Sequence, residues 1–176
     1  FTTLSSCASR QLEEVTFRRA TISVPELMAT AGKYFRKVYK GNKAHIDFKI
    51  QLLEGRITGD WNQLRFLLEN LIDEACSVTL DGAVCLSARE DGGILYVFLF
   101  TDMRREKTRE ELNQLFYPDL SRMTAGEKGE LYGTEYLVCK QIIRDHDEFA
   151  GRRGCRINAE PAEGGGFTVY FTIPRR

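Results

Sequence analysis

Leu64, Leu67, Leu68, Leu71, Ile72, Ala75 and Val78 recur at three- and four-residue intervals directly behind Asp60. The spacing predicts an amphipathic helix with Asp60 as its cap, because a side-chain oxygen there satisfies one of the first unpaired N–H groups. An apolar stripe of that length needs an apolar surface to lie on. Strands elsewhere in the chain supply one. Ile46, Phe48, Ile50 and Leu52 alternate strictly and predict a half-buried strand. Ala83–Arg89 and Ile94–Phe100 flank Asp91-Gly92-Gly93, and Arg152–Asn158 and Phe167–Ile173 flank Gly164-Gly165-Gly166; both pairs read as hairpins.

Residues 17–24 suit a first strand, and Ser23 with Pro25 marks a helix start. Leu27, Met28, Ala31, Tyr34, Phe35 and Val38 keep helical spacing to about Lys40, where Gly41-Asn42 ends it. Glu54-Gly55 turns the chain into a short partner strand at Ile57-Thr58. Residues 103–133 are charged and glycine-bearing, with a helical segment only around Leu112–Phe116. Helix resumes over Glu135–Ile143. Helices interleaved with hairpins predict an α+β, two-layer sandwich: a mixed sheet covered on one face by helices. We expect residues 1–16 to be a linker or the end of a preceding helix, and 17–176 to form one domain. An irregular stretch as long as 103–133 points to function or disorder.

Twenty-five acidic and twenty-five basic residues give a net charge of zero. Bulk electrostatics therefore favour neither nucleic acid nor a membrane surface as partner. No apolar run approaches the roughly 20 residues of a membrane helix. The start at Phe1 suggests a piece of a longer protein, with any sensory or membrane part outside it. The five cysteines (Cys7, Cys76, Cys85, Cys139 and Cys155) are scattered without a C-x-x-C pair. That pattern predicts reduced thiols in a cytoplasmic setting, argues against zinc, and makes Cys76, Cys85 and Cys139 core residues. His45 and His146 read as surface residues. Arg152-Arg153-Gly154-Cys155-Arg156 is a basic cluster suited to acidic or phosphate groups, or simply a solvated turn.

The helix segment Asn70-Leu-Ile-Asp-Glu74-Ala75, the hairpin strand ending at Asp102, the apolar Leu112–Phe116 segment, the Gly129–Leu137 turn into helix and the closing Thr172-Ile173-Pro174 occur in an order similar to the ATP-binding domain of sensor histidine kinases. That domain belongs to the superfamily shared with gyrase, Hsp90 and MutL. The resemblance runs from about Ile22 to Pro174, and among subgroups it is to the kinase-like domains of Bacteroides-type hybrid regulators. It implies a site for ATP and Mg²⁺ assembled from Asn70, Glu74, Asp102, Gly133 and Thr134.

The residues depart from the family's pattern at three places. Asn70 and Glu74 lie four apart on one side of the helix, but the family's metal-binding Asn is here Glu74. A carboxylate can ligate Mg²⁺, yet it adds negative charge beside a triphosphate; the alternative is a solvated residue. In a gyrase-like register Asn70 would be the metal ligand, with Phe66 at the base position. Asp102 matches the adenine-binding Asp, with Thr101 beside it, or is a turn residue. Met103 and Arg104 follow it where the family keeps glycine. The phosphate-binding turn reads Gly129-Glu-Leu-Tyr132-Gly133-Thr134-Glu135, keeping Gly133 but adding bulk and charge. The expected function is thus a degenerate pseudokinase, a regulatory module with weak or absent ATP binding. The alternative is an active domain that phosphorylates a His on a separate dimerisation domain. The implied partners are that phospho-acceptor domain or a response regulator, in a homodimeric full-length protein.

Overall fold

The computed structural model describes residues 17–39, 46–50, 55–79, 82–102, 108–116, 134–150 and 154–175, with backbone alone for 46–50 and 134–135. In chain order the elements are β1 (Ala20–Ser23), α1 (Val24–Val38), β2 (Ile46–Ile50), β3 (Arg56–Gly59), α2 (Trp61–Val78), β4 (Gly82–Asp91) and β5 (Ile94–Thr101), followed by α3 (Arg109–Phe116), α4 (Thr134–Phe149), β6 (Arg156–Pro161) and β7 (Phe167–Pro174). Five strands form a mixed sheet in the order β2-β4-β5-β7-β6. β2 runs parallel to β4 and every other pairing is antiparallel. The fold is α+β, as the element order predicts.

The hairpin of β4 and β5 closes on Gly92 and Gly93, at φ 59° and 78°. Two successive positive φ values twist a two-residue turn in the hand of its strands, and glycine adopts them without strain. Along β5 the alternation is clean: Leu95, Val97 and Leu99 are buried, and Tyr96, Phe98 and Phe100 stand on the opposite face. Val84, Leu86 and Ala88 on β4 and Val169, Phe171 and Ile173 on β7 extend the buried face. Upon it lies the stripe of α2 (Leu64, Leu67, Leu68, Leu71, Ile72 and Ala75), together with Val138, Cys139 and Ile142 of α4 and Leu27 and Met28 of α1. Each such side chain, taken fully from water, contributes on the order of 1.5–3 kcal/mol.

Both predicted caps form. Ser23 Oγ accepts from the Glu26 N–H at 3.4 Å, and Asp60 Oδ1 accepts from the Gln63 N–H at 3.1 Å. The other oxygen of Asp60 accepts from the Arg18 N–H at 2.8 Å, so one carboxylate starts α2 and pins the segment leading into β1.

Four expectations are corrected. β3 pairs with β1 in a separate two-stranded ribbon, Ile22 opposite Ile57, and not with β2. A four-residue strand was too short to reveal its partner. α4 runs to Phe149, six residues beyond Ile143. Cys85 is half-buried on the sheet face opposite Val84 and Leu86, because period-two alternation sends it away from the helices. Cys76 and Cys139 are buried as expected.

The fourth correction is His146, which is fully buried. Its Nδ1–H donates to the Ile142 carbonyl at 2.8 Å, and its Nε2 accepts the Asp60 N–H at 3.0 Å. The ring packs edge-on against Phe17 with centroids 4.8 Å apart. Gly59 makes room for it: a Cβ there would stand 2.9 Å from Nε2. His45, Cys7, residues 1–16 and the pair Arg152-Arg153 lie outside the described residues.

Two stability predictions result. His146→Phe keeps the ring volume but strands the Asp60 N–H. It should cost about 1–3 kcal/mol, read as a lower urea midpoint at unchanged slope. Burial pushes the thiols of Cys76 and Cys155 up to about 12, with the charges of Asp73 and Asp147 respectively adding to it. Thiolate is then scarce at pH 8, so both should resist iodoacetamide until the protein is unfolded by urea; rapid native-state labelling, mapped by mass spectrometry, would contradict this.

Candidate functional site

The end of α2, the start of β4 and the end of β5 meet at one place, where Thr79, Gly82, Ala83 and Asp102 make the junction. Thr79, the residue that ends α2, is buried; its N–H donates to the Ala75 carbonyl at 3.1 Å and its hydroxyl donates to the Asp102 carbonyl at 3.0 Å. The Asp102 N–H donates to the Ala83 carbonyl at 3.0 Å. Both main-chain polar groups of Asp102 are thereby held. Its carboxylate leans over Gly82, where an added Cβ would stand 2.8 Å from Oδ2 and 3.2 Å from Cγ. Asp102 itself is half-buried.

Asn70 and Glu74 are on α2, both half-buried. At 1.5 Å of rise per residue, Glu74 stands about 7–8 Å and Asn70 about 13–14 Å up the helix from Thr79. A ligand with one end at Asp102 and a second end along α2 would therefore pass Glu74 before Asn70. Nδ2 of Asn70 is buried with no hydrogen-bond partner among the described residues. A buried amide left unpaired costs free energy, so a donor waits there for an acceptor. Among the described residues no three His, Cys, Asp or Glu side chains converge as metal ligands. Mg²⁺ held at Glu74 would draw its remaining ligands from phosphates and water, the usual coordination for that ion.

Asp73, between them, turns to α1. Its carboxylate accepts from the Tyr34 hydroxyl at 2.8 Å and the Tyr39 hydroxyl at 2.7 Å. Burial, and then the hydrogen bond to Asp73, hold both phenols well above the ordinary tyrosine range, so they stay protonated donors. This triad fixes the rotation of α2 about its axis, and so which residues face the site. Helical spacing alone shows Tyr34 as an apolar-face position and says nothing of Tyr39 or of the carboxylate they share.

Phe116 anchors α3. It is buried, meets Tyr136 of α4 edge-on with centroids 5.5 Å apart, and its carbonyl accepts from Lys140 Nζ at 3.0 Å. Burial and the Arg144 charge lower the ammonium pKa of Lys140. A cleft of about 320 Å³ is lined by Thr108, Glu110, Glu111, Asn113 and Gln114, and neither Asp102 nor any residue of α2 is part of its lining.

Of the predicted site residues, Asp102 stands at the junction with α2, and Asn70 and Glu74 stand along that helix. Thr134 is the first residue of α4, with its side chain outside the described parts. Gly133, Met103, Arg104 and the stretch 117–133 also lie outside the described residues. Thr79 and Gly82 were missed, because a lone Thr and a lone Gly after a helix carry no signal until β4 and β5 are paired. Thr101, expected beside Asp102, is buried.

By sequence, no protein-family model and no curated protein matches this chain. By structure, the chain is similar to the nucleotide-free catalytic domain of histidine kinase ThkA, at TM-score 0.69 and 18% identity over 90% of this chain and 96% of that one. It is similar to Acinetobacter baumannii histidine kinase AdeS at TM-score 0.71 and 13% identity, over 99% of this chain and 76% of that one. ThkA in complex with the response regulator TrrA gives TM-score 0.74 at 18% identity, with 99% of this chain covering 47% of that one. The chain has the fold of the ATP-binding catalytic domain of sensor histidine kinases.

Proposed function

We propose that this chain is the histidine-kinase ATPase-like domain of a larger signalling protein, working as a regulatory pseudokinase: it binds adenine nucleotide weakly and does not transfer the γ-phosphate. The observation that carries the reading is the contrast between the two ends of the site. At the base end Asp102 is held through both main-chain groups and leans over a bare glycine. At the phosphate end Glu74 brings a negative charge where the family has an amide, and the turn 129–133 carries Glu130 and Tyr132 among its glycines.

Phosphoryl transfer depends almost wholly on positioning and charge neutralisation. A carboxylate beside the phosphates raises the cost of bringing a triphosphate in without metal. With Mg²⁺ bound, Glu74 would serve as its protein ligand and Asn70 Nδ2 would donate to a phosphate or metal-bound water. Thr134, the first residue of α4, would meet the phosphates through its main-chain N–H group, with Gly133 before it in the sequence as the other candidate.

The alternative, an active kinase domain delivering phosphate to a His on a separate dimerisation domain, is favoured by the same retained Asp102. No helix among the described residues is long and apolar enough to cross a membrane. We assign as partner the phospho-acceptor domain or response regulator of the same system, within a homodimer; the ThkA complex with TrrA lends support.

The test is calorimetric titration of the folded domain with ADP and a non-hydrolysable ATP analogue, with and without Mg²⁺. The reading expects ADP binding with Kd in the range of about 0.1–1 mM, or roughly −4 to −5.5 kcal/mol, and no phosphotransfer to an added dimerisation domain. Asp102→Asn should abolish that binding. Glu74→Asn should tighten the Mg²⁺-free ATP analogue by about tenfold, near 1.4 kcal/mol, by removing the repelling charge. Micromolar Mg²⁺-dependent affinity accompanied by His phosphorylation would favour the active kinase.

A further inference from the structure

We propose that Thr79 and Gly82 are the positioning residues of the nucleotide site, supplying from the α2–β4 connection the close approach that the stretch after Asp102 lacks. This inference rests on the nucleotide-binding reading above and deepens it. Met103 and Arg104 carry side chains where the family pattern would leave bare backbone. Bare backbone is present, but on the neighbouring strand.

Gly82 opens β4 next to the end of β5, since Val84 is registered opposite Thr101. Its Cα faces the Asp102 side chain so closely that a Cβ would come within 2.8 Å of Oδ2 and 3.2 Å of the Asp102 Cβ and Cγ. No side chain fits there while the carboxylate keeps its place. The nearest atom is the outer end of a short side chain, which can swing about its own bonds. Filling the space would displace the carboxylate first, and the 3.2 Å approach to the Asp102 Cβ adds a smaller shift of the main chain.

Thr79 acts on the other side of the same residue. Its hydroxyl holds the Asp102 carbonyl, and the Ala83 carbonyl holds the Asp102 N–H. Thr79 and Ala83 therefore grip residue 102 at both main-chain groups, and neither engages the carboxylate that would read a base. A carboxylate accepts hydrogen bonds. It suits the exocyclic amino group of adenine and opposes the carbonyl oxygen that a 6-oxopurine presents at that position. Small displacements of such a group are expensive, because recognition depends on donors and acceptors meeting at about 2.7–3.2 Å.

The experiment compares ADP with inosine diphosphate, which carries a carbonyl where adenine carries its amino group. Affinities for both are measured on the wild type, Gly82→Ala, Thr79→Val and Thr79→Ser, each with its urea midpoint. The wild type should prefer ADP by about tenfold or more. Gly82→Ala should lose that preference, with a lowered urea midpoint because φ is 159° there. Thr79→Val should lose part of it and Thr79→Ser, which retains the hydroxyl, should restore it. If the wild type prefers ADP but Gly82→Ala and Thr79→Val leave the ADP-to-inosine ratio unchanged, the positioning role is overturned and nucleotide binding stands. Equal wild-type affinity for both would overturn it as well, since Asp102 would not be reading the base. A folded wild type that binds neither would overturn this inference together with the nucleotide-binding reading. Should Gly82→Ala fail to fold, the Thr79 pair decides alone.

Discussion

A single buried hydrogen bond, from the Asp60 N–H to Nε2 of His146, joins the last turns of α4 to the point where β3 becomes α2. Its consequences spread because Asp60 also caps α2, accepts from Arg18 and follows Gly59, whose missing side chain admits the imidazole. One ring thus sets the distance between two helices that lie on the same sheet. The ring's other nitrogen is committed to the Ile142 carbonyl, which fixes the tautomer with the proton on Nδ1. Ring, cap and glycine depend on one another, and this is why the entry angle of α2 onto the sheet is defined.

From that anchored start α2 carries its direction to the other end, where Thr79 meets Asp102. Rotation about the axis is fixed separately, by Asp73 with the hydroxyls of Tyr34 and Tyr39. Start, rotation and end are each determined by polar groups in an otherwise apolar layer. Asn70 and Glu74 inherit their orientation from these three constraints. An exposed helix with the same sequence would not present them in any fixed relation to Asp102.

The open face of the sheet follows a different logic. Tyr96 and Phe98 stack on β5, Phe98 meets Tyr170 on β7, and the Arg89 guanidinium lies about 5 Å above the rings of Tyr96 and Phe98. Cross-strand aromatic and cation–π pairs of this kind stabilise a sheet from its wet side. At the far edge Arg175 reaches both Glu90 and the Arg56 carbonyl, and its N–H donates to the Gly93 carbonyl. The end of the chain thereby ties the β1–β3 ribbon to the β4–β5 hairpin. Together these contacts leave the helical face free of any duty except packing and the site.

The sequence by itself determined the elements whose signal is local. Period-3.6 stripes gave α1 and α2, Asp60 and Ser23 announced their caps, alternation and Gly92-Gly93 gave the hairpin, and the layered α+β class followed. Asp102 was legible as a candidate because it follows a strand in a recognisable order of motifs, and it does stand at the end of β5. Tertiary structure decided what depends on partners distant in sequence. His146, a polar residue beyond the expected helix end, read as surface; only its contact with residue 60 makes it core. The partner of β3 was hidden because a four-residue strand has too little pattern to choose between neighbours. Thr79 and Gly82 became meaningful only when pairing of β4 with β5 brought Asp102 beside them. Periodicity and capping are properties of adjacent residues, so a sequence displays them. Buried hydrogen bonds and steric room at a glycine are properties of residues that meet only when the chain has folded.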